Sequence, residues 1–356
     1  MDMHDTQMRH DRLLGMIVGG YLGEALGAPF KYLDYTISNV SDTQLVPNTS
    51  EHNKMYNVSI PTKYEDYDGK LEYGILHPYS KNVNSPRIYP VGSITDSSVF
   101  TNNLLSSLTL QKSYKIDDVL SRYLRMSLHN PMIDSHSRKV FNYKTINGYY
   151  KSKSKSNDND HTYSSLSRCS PLLIYDYNSK YIVDDAKLSH THKLNEHINK
   201  IYISSLRNII EGDYKYTVLD KALLYVDNME QSQEKRELNL ALEQAKMNII
   251  RNVKTNIPNS TRSDRKNVLH PFYSAYWSLY NHESYSESMK NVLMLGGNTD
   301  TNMKVSGEMI GLYEGYTRLL TYGNMKNNIK TLFEINKYYL RNIDDKISIM
   351  NELYEK

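Results

Sequence analysis

Two short polar segments of the chain combine residue types that bind hard cations. Residues 94–98 read ITDSS and residues 297–302 read GNTDTN, so each contains a Thr-Asp pair beside further hydroxyl or amide groups. Such oxygens suit Mg²⁺, which takes few protein ligands and keeps several waters. The same residue types also cap helix N-termini, and for either segment alone capping is the simpler interpretation. The occurrence of two such segments, each beginning an apolar or glycine-rich stretch, favours a shared site.

Glycine recurs at every fourth position in two apolar stretches, one near the N-terminus and one directly after the second polar segment. On a helix this spacing places the glycines on one face. Each helical glycine costs about 1 kcal/mol relative to alanine, so close packing of helix against helix must offset that cost. We therefore predict that both helices are central and cross one another at the following residues: Gly19, Gly23, Gly27, Gly307, Gly311 and Gly315.

The remaining pattern predicts an all-α protein. Apolar residues recur at helical spacing in residues 11–29, 95–111 and 235–253, and strands do not alternate with helices. No repeat of solenoid length occurs. We expect one domain over residues 1–356, because this length can bury a single large core.

Three segments depart from the helical core pattern. Residues 31–91 are polar and tyrosine-rich, and residues 151–160 are of low complexity, so both are expected to be long irregular insertions. Residues 325–356 are expected to form a helical C-terminal extension. Its apolar positions should dock on the core: Ile329, Leu332, Phe333, Ile335 and Leu340.

Composition excludes several classes of function. A formal net charge of +3 over 356 residues gives no basic patch, so we expect neither nucleic acid nor an anionic membrane as partner. The longest apolar window, residues 13–28, is interrupted by Glu24 and is too short for a membrane span. The single cysteine, Cys169, permits no intrachain disulfide or cysteine zinc cluster, which fits a reducing, cytoplasmic compartment. The N-terminal residues show no signal-peptide pattern.

Five motifs together resemble the ADP-ribosylglycohydrolases, the family that includes dinitrogenase reductase-activating glycohydrolase. In order they are GGYLGEALGAPFKY, TDSS, SRCSPL, THKLNEHI and LGGNTDTNMKVSGEMIGLYEG. The resemblance covers residues 11–320 and leaves the tail outside. It implies an all-α orthogonal helical bundle with a two-magnesium site. The implied activity is hydrolysis of the bond between ADP-ribose and a modified side chain, or of a related ADP-ribose adduct.

The resemblance also implies which residues hold magnesium and carry catalysis. The implied metal ligands are Thr95, Asp96, Ser97, Asn298, Asp300 and Thr301, and the implied catalytic residues are Asp96, Asp300 and Glu24. Ser97 and Asn298 stand where the family carries aspartate, and Lys31 stands where many members carry a catalytic glutamate. Fewer carboxylates lower the affinity for Mg²⁺, so one or two ions are expected. Lys31 could stand in for a cation by its charge.

Substrate contacts are implied for two further segments. Arg168 and Pro171 match a family substrate loop that reads Asn-Gly-x-x-Met-Arg-x-x-Pro, although Asn-Gly itself is absent. Thr191 and His192 match a Thr-His pair whose histidine lies near the diphosphate in relatives. The implied substrate-binding residues are Ser164, Ser165, Arg168 and His192.

Two functions remain open at this point. The first is magnesium-assisted hydrolysis of ADP-ribose from a modified protein side chain. The alternative is a catalytically impaired pseudoenzyme of the same fold, which binds ADP-ribose or a protein partner. The sequence defines neither the modified residue nor the oligomeric state.

Overall fold

The computed structural model describes residues 3–31, 36–37, 43–44, 75–76, 88–130, 132–133, 135–153, 162–247 and 267–355. Most of the predicted insertion 31–91 and residues 154–160 of the second one lie outside this part of the chain. Residues 151–153 belong to a helix. The described chain is built from helices, which confirms the all-α prediction.

The helices follow one another along the part of the chain that the structure describes. They are α1 Met3–Gly27, α2 Asp96–Gln111, α3 Ile116–His129, α4 Ser135–Phe141, α5 Ile146–Lys153, α6 Lys180–Lys187, α7 Lys193–Ile210, α8 Lys215–Asp227, α9 Gln233–Lys246, α10 Leu269–Asn281, α11 Tyr285–Leu295, α12 Thr299–Glu314, α13 Tyr316–Leu319, α14 Met325–Ile335, α15 Lys337–Leu340 and α16 Ile343–Tyr354. Short 3-10 turns cover Ala28–Phe30, Leu166–Arg168 and Ser170–Ile174.

Two antiparallel pairs of two-residue strands lie between α1 and α2. Strand β1, Thr36–Ile37, pairs with β2, Thr43–Gln44, and β3, Ile75–Leu76, pairs with β4, Ile88–Tyr89. Pairs this short add no sheet layer to the helical core.

Helices α1 and α12 pack against each other in antiparallel register along the two glycine stripes. A Cβ atom added at Gly19 would lie 2.5 Å from the carbonyl oxygen of Gly307, and one added at Gly307 would lie 2.5 Å from that of Gly19. One turn toward the N-terminus of α1, Gly15 faces Gly311, so the stripe extends one glycine further than predicted. The predicted crossing is therefore confirmed, and only glycine allows it.

The same register brings the end of α1 to the start of α12. The hydroxyl of Thr299 donates to the carbonyl oxygen of Gly27 at 2.7 Å. A Cβ atom at Gly27 would lie 2.5 Å from the Thr299 carbonyl oxygen. The second polar segment thus lies beside the turn that follows α1.

The C-terminal helices pack on the core. Ile329, Leu332 and Leu340 are buried, and Arg9 donates from Nε to Asn351 Oδ1 at 2.6 Å. Ile335, which we expected to dock, is 41% exposed because it lies on the outer face of α14.

Residues 4–30 do reach the length and hydropathy of a membrane span, unlike the shorter window judged from sequence. Other parts of the protein bury 94% of the most apolar window in this helix. That burial is typical of a central helix in a globular core.

Candidate functional site

The first polar segment begins α2, and Glu24 of α1 caps that helix. Both carboxylate oxygens of Glu24 lie 3.2 Å from the backbone nitrogen of Ser98. Glu24 also accepts from the backbone N–H of Thr95 at 3.1 Å and from its hydroxyl at 2.6 Å. The first turn of a helix has N–H groups without intrahelical acceptors, and a carboxylate there is favoured by the helix dipole. Glu24 is thus engaged by the first turn of α2.

The two polar segments meet at Asp300. Its side chain is fully buried, and Oδ2 lies 3.4 Å from the Thr95 hydroxyl and 2.7 Å from Lys31 Nζ. Oδ1 accepts from the backbone N–H of Thr301 at 2.8 Å. Asp96 opens α2 and is 2% exposed, so neither aspartate faces bulk solvent. The two segments therefore contact each other through Thr95 and Asp300, while the shared metal site expected from them stays a prediction.

Several oxygens around this point are buried without a hydrogen-bond partner. They are Ser97 Oγ and Ser98 Oγ on α2, and Asn298 Oδ1 before α12. The amide nitrogen of Asn298 donates to the Thr301 hydroxyl at 2.5 Å, which leaves the amide oxygen unused. Buried polar atoms without partners are rare in proteins and often mark a ligand site.

A buried ion pair one to two turns along α12 was not anticipated from the sequence. Lys304 and Glu308 are both fully buried and bonded to each other. Glu308 also accepts from Ser170 Oγ at 2.7 Å and from the Tyr202 hydroxyl at 3.3 Å. Asp300, Lys304 and Glu308 follow one another at intervals of four residues, a signal that could have placed all three on one helix face.

Burial and charge act in opposite directions on these glutamates. Burial raises the pKa of Glu24, while the Lys304 ammonium and hydrogen bonds from Ser98 and Thr95 partly lower it. Burial likewise raises the pKa of Glu308, and Lys304 is the main group that opposes the rise. Lys304 therefore stabilises negative charge on both glutamates.

Arg168 lies fully buried and directs its guanidinium into the protein. Nε donates to Asp185 Oδ2 at 2.9 Å, Nη1 to the Ser164 carbonyl and to Ser189 Oγ at 2.8 Å each, and Nη2 to the Asp185 carbonyl at 2.6 Å. The guanidinium also lies 5.1 Å from the ring centroid of Tyr123. These contacts give Arg168 a positioning role for the segment that carries Ser164, and its substrate contact stays a prediction.

The other three predicted substrate residues lie around the same segment. Ser164 Oγ is buried without a partner, whereas Ser165 Oγ accepts from Asn195 Nδ2 at 3.0 Å. His192 caps α7, where Nδ1 accepts from the Leu194 backbone at 3.2 Å. His190, which the sequence did not single out, is buried with Nδ1 2.7 Å from Ser189 Oγ and Nε2 2.7 Å from Thr162 Oγ1.

The oxygen ligands at this site do not fit the two magnesium ions that the family resemblance implies. Glu24 is bound by α2, and Asp300 Oδ2 is held by the ammonium group of Lys31. Among the described residues, no three His, Cys, Asp or Glu side chains form a group that could hold a metal ion. Ser97 Oγ and Asn298 Oδ1 offer only neutral oxygens, which bind hard cations weakly.

A surface cavity of about 390 Å³ lies elsewhere, between α3 and the start of α5. It is lined by Ser121, Leu124, Arg125, Leu128, His129, Tyr143, Lys144, Thr145 and Ile146, and by none of the residues above. We take the buried residues where α2 and α12 begin as the candidate site, and not this cavity. The cavity is bordered mainly by exposed surface side chains.

Comparisons with known proteins agree with the fold. A family model described as ADP-ribosylglycohydrolase matches residues 5–339, further in both directions than the motifs. A solved structure described as an ADP-ribosylglycohydrolase-related protein complex is similar with a TM-score of 0.61 and 18% identity, covering 94% of this chain and 99% of the other. That identity supports the fold alone. No curated protein matched the sequence.

Proposed function

Because this chain belongs to the ADP-ribosylglycohydrolase family, we propose that it binds ADP-ribose, free or attached to a modified protein side chain, and that its hydrolytic activity is impaired. The binding site is the point where α2 and α12 begin. The observation that carries this proposal is the 2.7 Å ion pair between Lys31 Nζ and Asp300 Oδ2.

The unpartnered oxygens support a sugar ligand. Ser97 Oγ, Ser98 Oγ and Asn298 Oδ1 are buried without hydrogen bonds, and each such atom costs about 1–3 kcal/mol. A ribose supplies vicinal hydroxyl groups that both donate and accept hydrogen bonds, so it satisfies serine hydroxyls and an amide oxygen together. Asp96 and Asp300 add carboxylate acceptors, which form stronger hydrogen bonds to hydroxyl groups.

The proposed loss of hydrolytic activity follows from the groups that already engage the carboxylates of Glu24 and Asp300. Hydrolysis needs a group that takes a proton from the attacking water. The carboxylate of Glu24 accepts from the first turn of α2, and that of Asp300 is neutralised by Lys31. Lys31 is itself a cation at a position where an acid–base glutamate is expected from the family pattern.

Magnesium-assisted hydrolysis is the second candidate. Ser97 Oγ and Asn298 Oδ1 favour it, because with Asp96 they would supply oxygen ligands for one ion. A bound Mg²⁺ would supply positive charge that orients the substrate and activates water. This function requires the ammonium of Lys31 to leave Asp300.

Calorimetry with ADP-ribose, in chelator and in Mg²⁺, tests the proposal. We expect the same affinity in both buffers, and little release of ADP-ribose from a modified peptide. Asp300→Asn should weaken binding about tenfold or more, because it removes one charge-assisted acceptor. Asp213→Asn, which alters a surface ion pair with Lys221, is the control. No heat at millimolar ADP-ribose contradicts both candidates, and release that depends on Mg²⁺ favours the second.

A further inference from the structure

The turn that follows α1 places Lys31 beside the buried carboxylate of Asp300. Its backbone N–H closes the turn Ala28–Phe30 by donating to the Ala28 carbonyl at 3.3 Å. The side chain is 24% exposed, whereas that of Asp300 is not exposed at all. An ionised carboxylate without a partner is strongly disfavoured inside a protein. Lys31 therefore supplies a charge that Asp300 needs from some source.

Lys304 supplies a second cation deeper in the same helix pair. It lies one turn after Asp300 on α12, fully buried and paired with Glu308. Its charge also acts on Glu24, which caps α2. The Lys31 ammonium thus faces Asp300 at the start of α12, and the Lys304 ammonium faces Glu308 two turns further along that helix.

We infer that Lys31 and Lys304 are resident cations that balance the acidic groups of this site, so that the folded protein needs no divalent ion there. Lys31 in addition excludes Mg²⁺ from Asp300, since both would occupy the position next to Oδ2. Lys31 acts in the same site to which ADP-ribose is assigned, so the inference rests on the proposed function. The test of the inference measures metal binding, whereas the test of the proposed function measures ADP-ribose binding, so either idea can fail without the other.

Titration with Mn²⁺, followed by electron paramagnetic resonance, tests the inference on the unmodified protein and three variants. Lys31→Met and Lys31→Gln remove the ammonium group. Lys200→Met is the matched control, because Lys200 is 21% exposed and lies 2.9 Å from Glu196. We expect no bound Mn²⁺ at submillimolar concentration for the parent or for Lys200→Met. Both Lys31 variants should bind about one ion, with at least tenfold higher affinity.

Thermal unfolding in Mg²⁺ supplies an independent measurement. A ligand that binds only the native state raises the melting temperature, so the Lys31 variants should gain about 2–4 °C in excess Mg²⁺ over an equal ionic strength of NaCl. The parent should not respond. A parent that binds Mn²⁺ as tightly as the Lys31 variants overturns the inference. The inference is equally overturned if neither Lys31 variant binds an ion. If one Lys31 variant does not fold, comparison of the parent with the other variant still tests the inference.

Discussion

Glu24 and Ser98 are 74 residues apart in sequence, yet both carboxylate oxygens of Glu24 lie 3.2 Å from the backbone nitrogen of Ser98. This contact fixes the first turn of α2 against the central helix α1. It therefore also fixes Thr95 and Asp96, which that turn carries. The geometry of the candidate site depends on this cap.

Replacing Glu24 by alanine should lower the free energy of unfolding by about 2–4 kcal/mol, since it leaves buried N–H groups of Thr95 and Ser98 without acceptors. Glu24→Gln should cost less, because its amide oxygen can still accept. Urea unfolding followed by circular dichroism measures both. A cost below about 1 kcal/mol for Glu24→Ala would exclude a structural cap.

Gly19→Ala should destabilise the protein by several kcal/mol. The added Cβ would lie 2.5 Å from the Gly307 carbonyl, and the two helices would have to separate. Gly148→Ala is the control, since its Cβ meets only the side-chain oxygen of Thr145 at 3.1 Å. We expect that variant to be neutral or more stable by up to about 1 kcal/mol. Equal unfolding midpoints for the two variants would contradict the close crossing.

The sequence predicted those features that depend on local periodicity. The spacing of Gly19, Gly23 and Gly27 indicated the helix crossing, and the residue types at 94–98 and 297–302 indicated two helix starts. These predictions succeed because a helix converts sequence spacing directly into position on a face.

Features that depend on long-range pairing could not be read from the sequence. Lys304 looks like an exposed lysine until Glu308, Ser170 and Tyr202 are known to enclose the pair. Arg168 belongs to a predicted substrate motif, yet Asp185 holds it inside the core. Burial of a charged group depends on partners from distant segments, which residue types alone do not specify.

Glu314 should make stability fall as pH rises. Burial raises its pKa from 4.5 to about 7, although Arg318 and a hydrogen bond from Tyr322 oppose the rise. Between these values the folded state keeps a proton that the unfolded chain has lost. This contribution to stability is full below pH 4.5 and is lost as pH rises through about 7.

Glu314→Gln cannot ionise and should therefore be more stable than the parent above pH 7 by about 2 kcal/mol, with little difference below pH 4.5. The amide oxygen can still accept from the backbone N–H of Tyr285, as the carboxylate does at 3.0 Å. Urea midpoints of both proteins across this pH range provide the measurement. A difference that does not change with pH would refute the assignment.

Asn336→Ala should loosen the segment that leads into the site. Its amide donates to the Gly92 carbonyl at 2.8 Å, and its oxygen accepts from the backbone of Ile94 at 3.3 Å. We expect a loss of about 1–3 kcal/mol in stability and a weaker affinity for ADP-ribose. Asn327→Ala, an exposed position on α14, the helix that ends one residue before Asn336, should change neither quantity. Unchanged affinity in a destabilised Asn336→Ala would limit the role of Asn336 to folding.

The double change Ser97→Asp with Asn298→Asp should create a site that depends on metal. In chelator it should destabilise the protein, because further carboxylates would crowd one buried region. Excess Mg²⁺ should restore the lost stability by binding the native state. A melting series against Mg²⁺ for the parent and the double variant tests this. An equal response in both proteins would show that acidity does not limit metal binding.

The most direct measurement is a crystal structure grown with Mn²⁺ and ADP-ribose, with anomalous scattering used to locate the metal. The account predicts ADP-ribose bound at the start of α2 and α12, no anomalous peak between Asp96 and Asp300, and Lys31 still paired with Asp300. A manganese peak between the two aspartates, with the Lys31 ammonium displaced, would contradict the account.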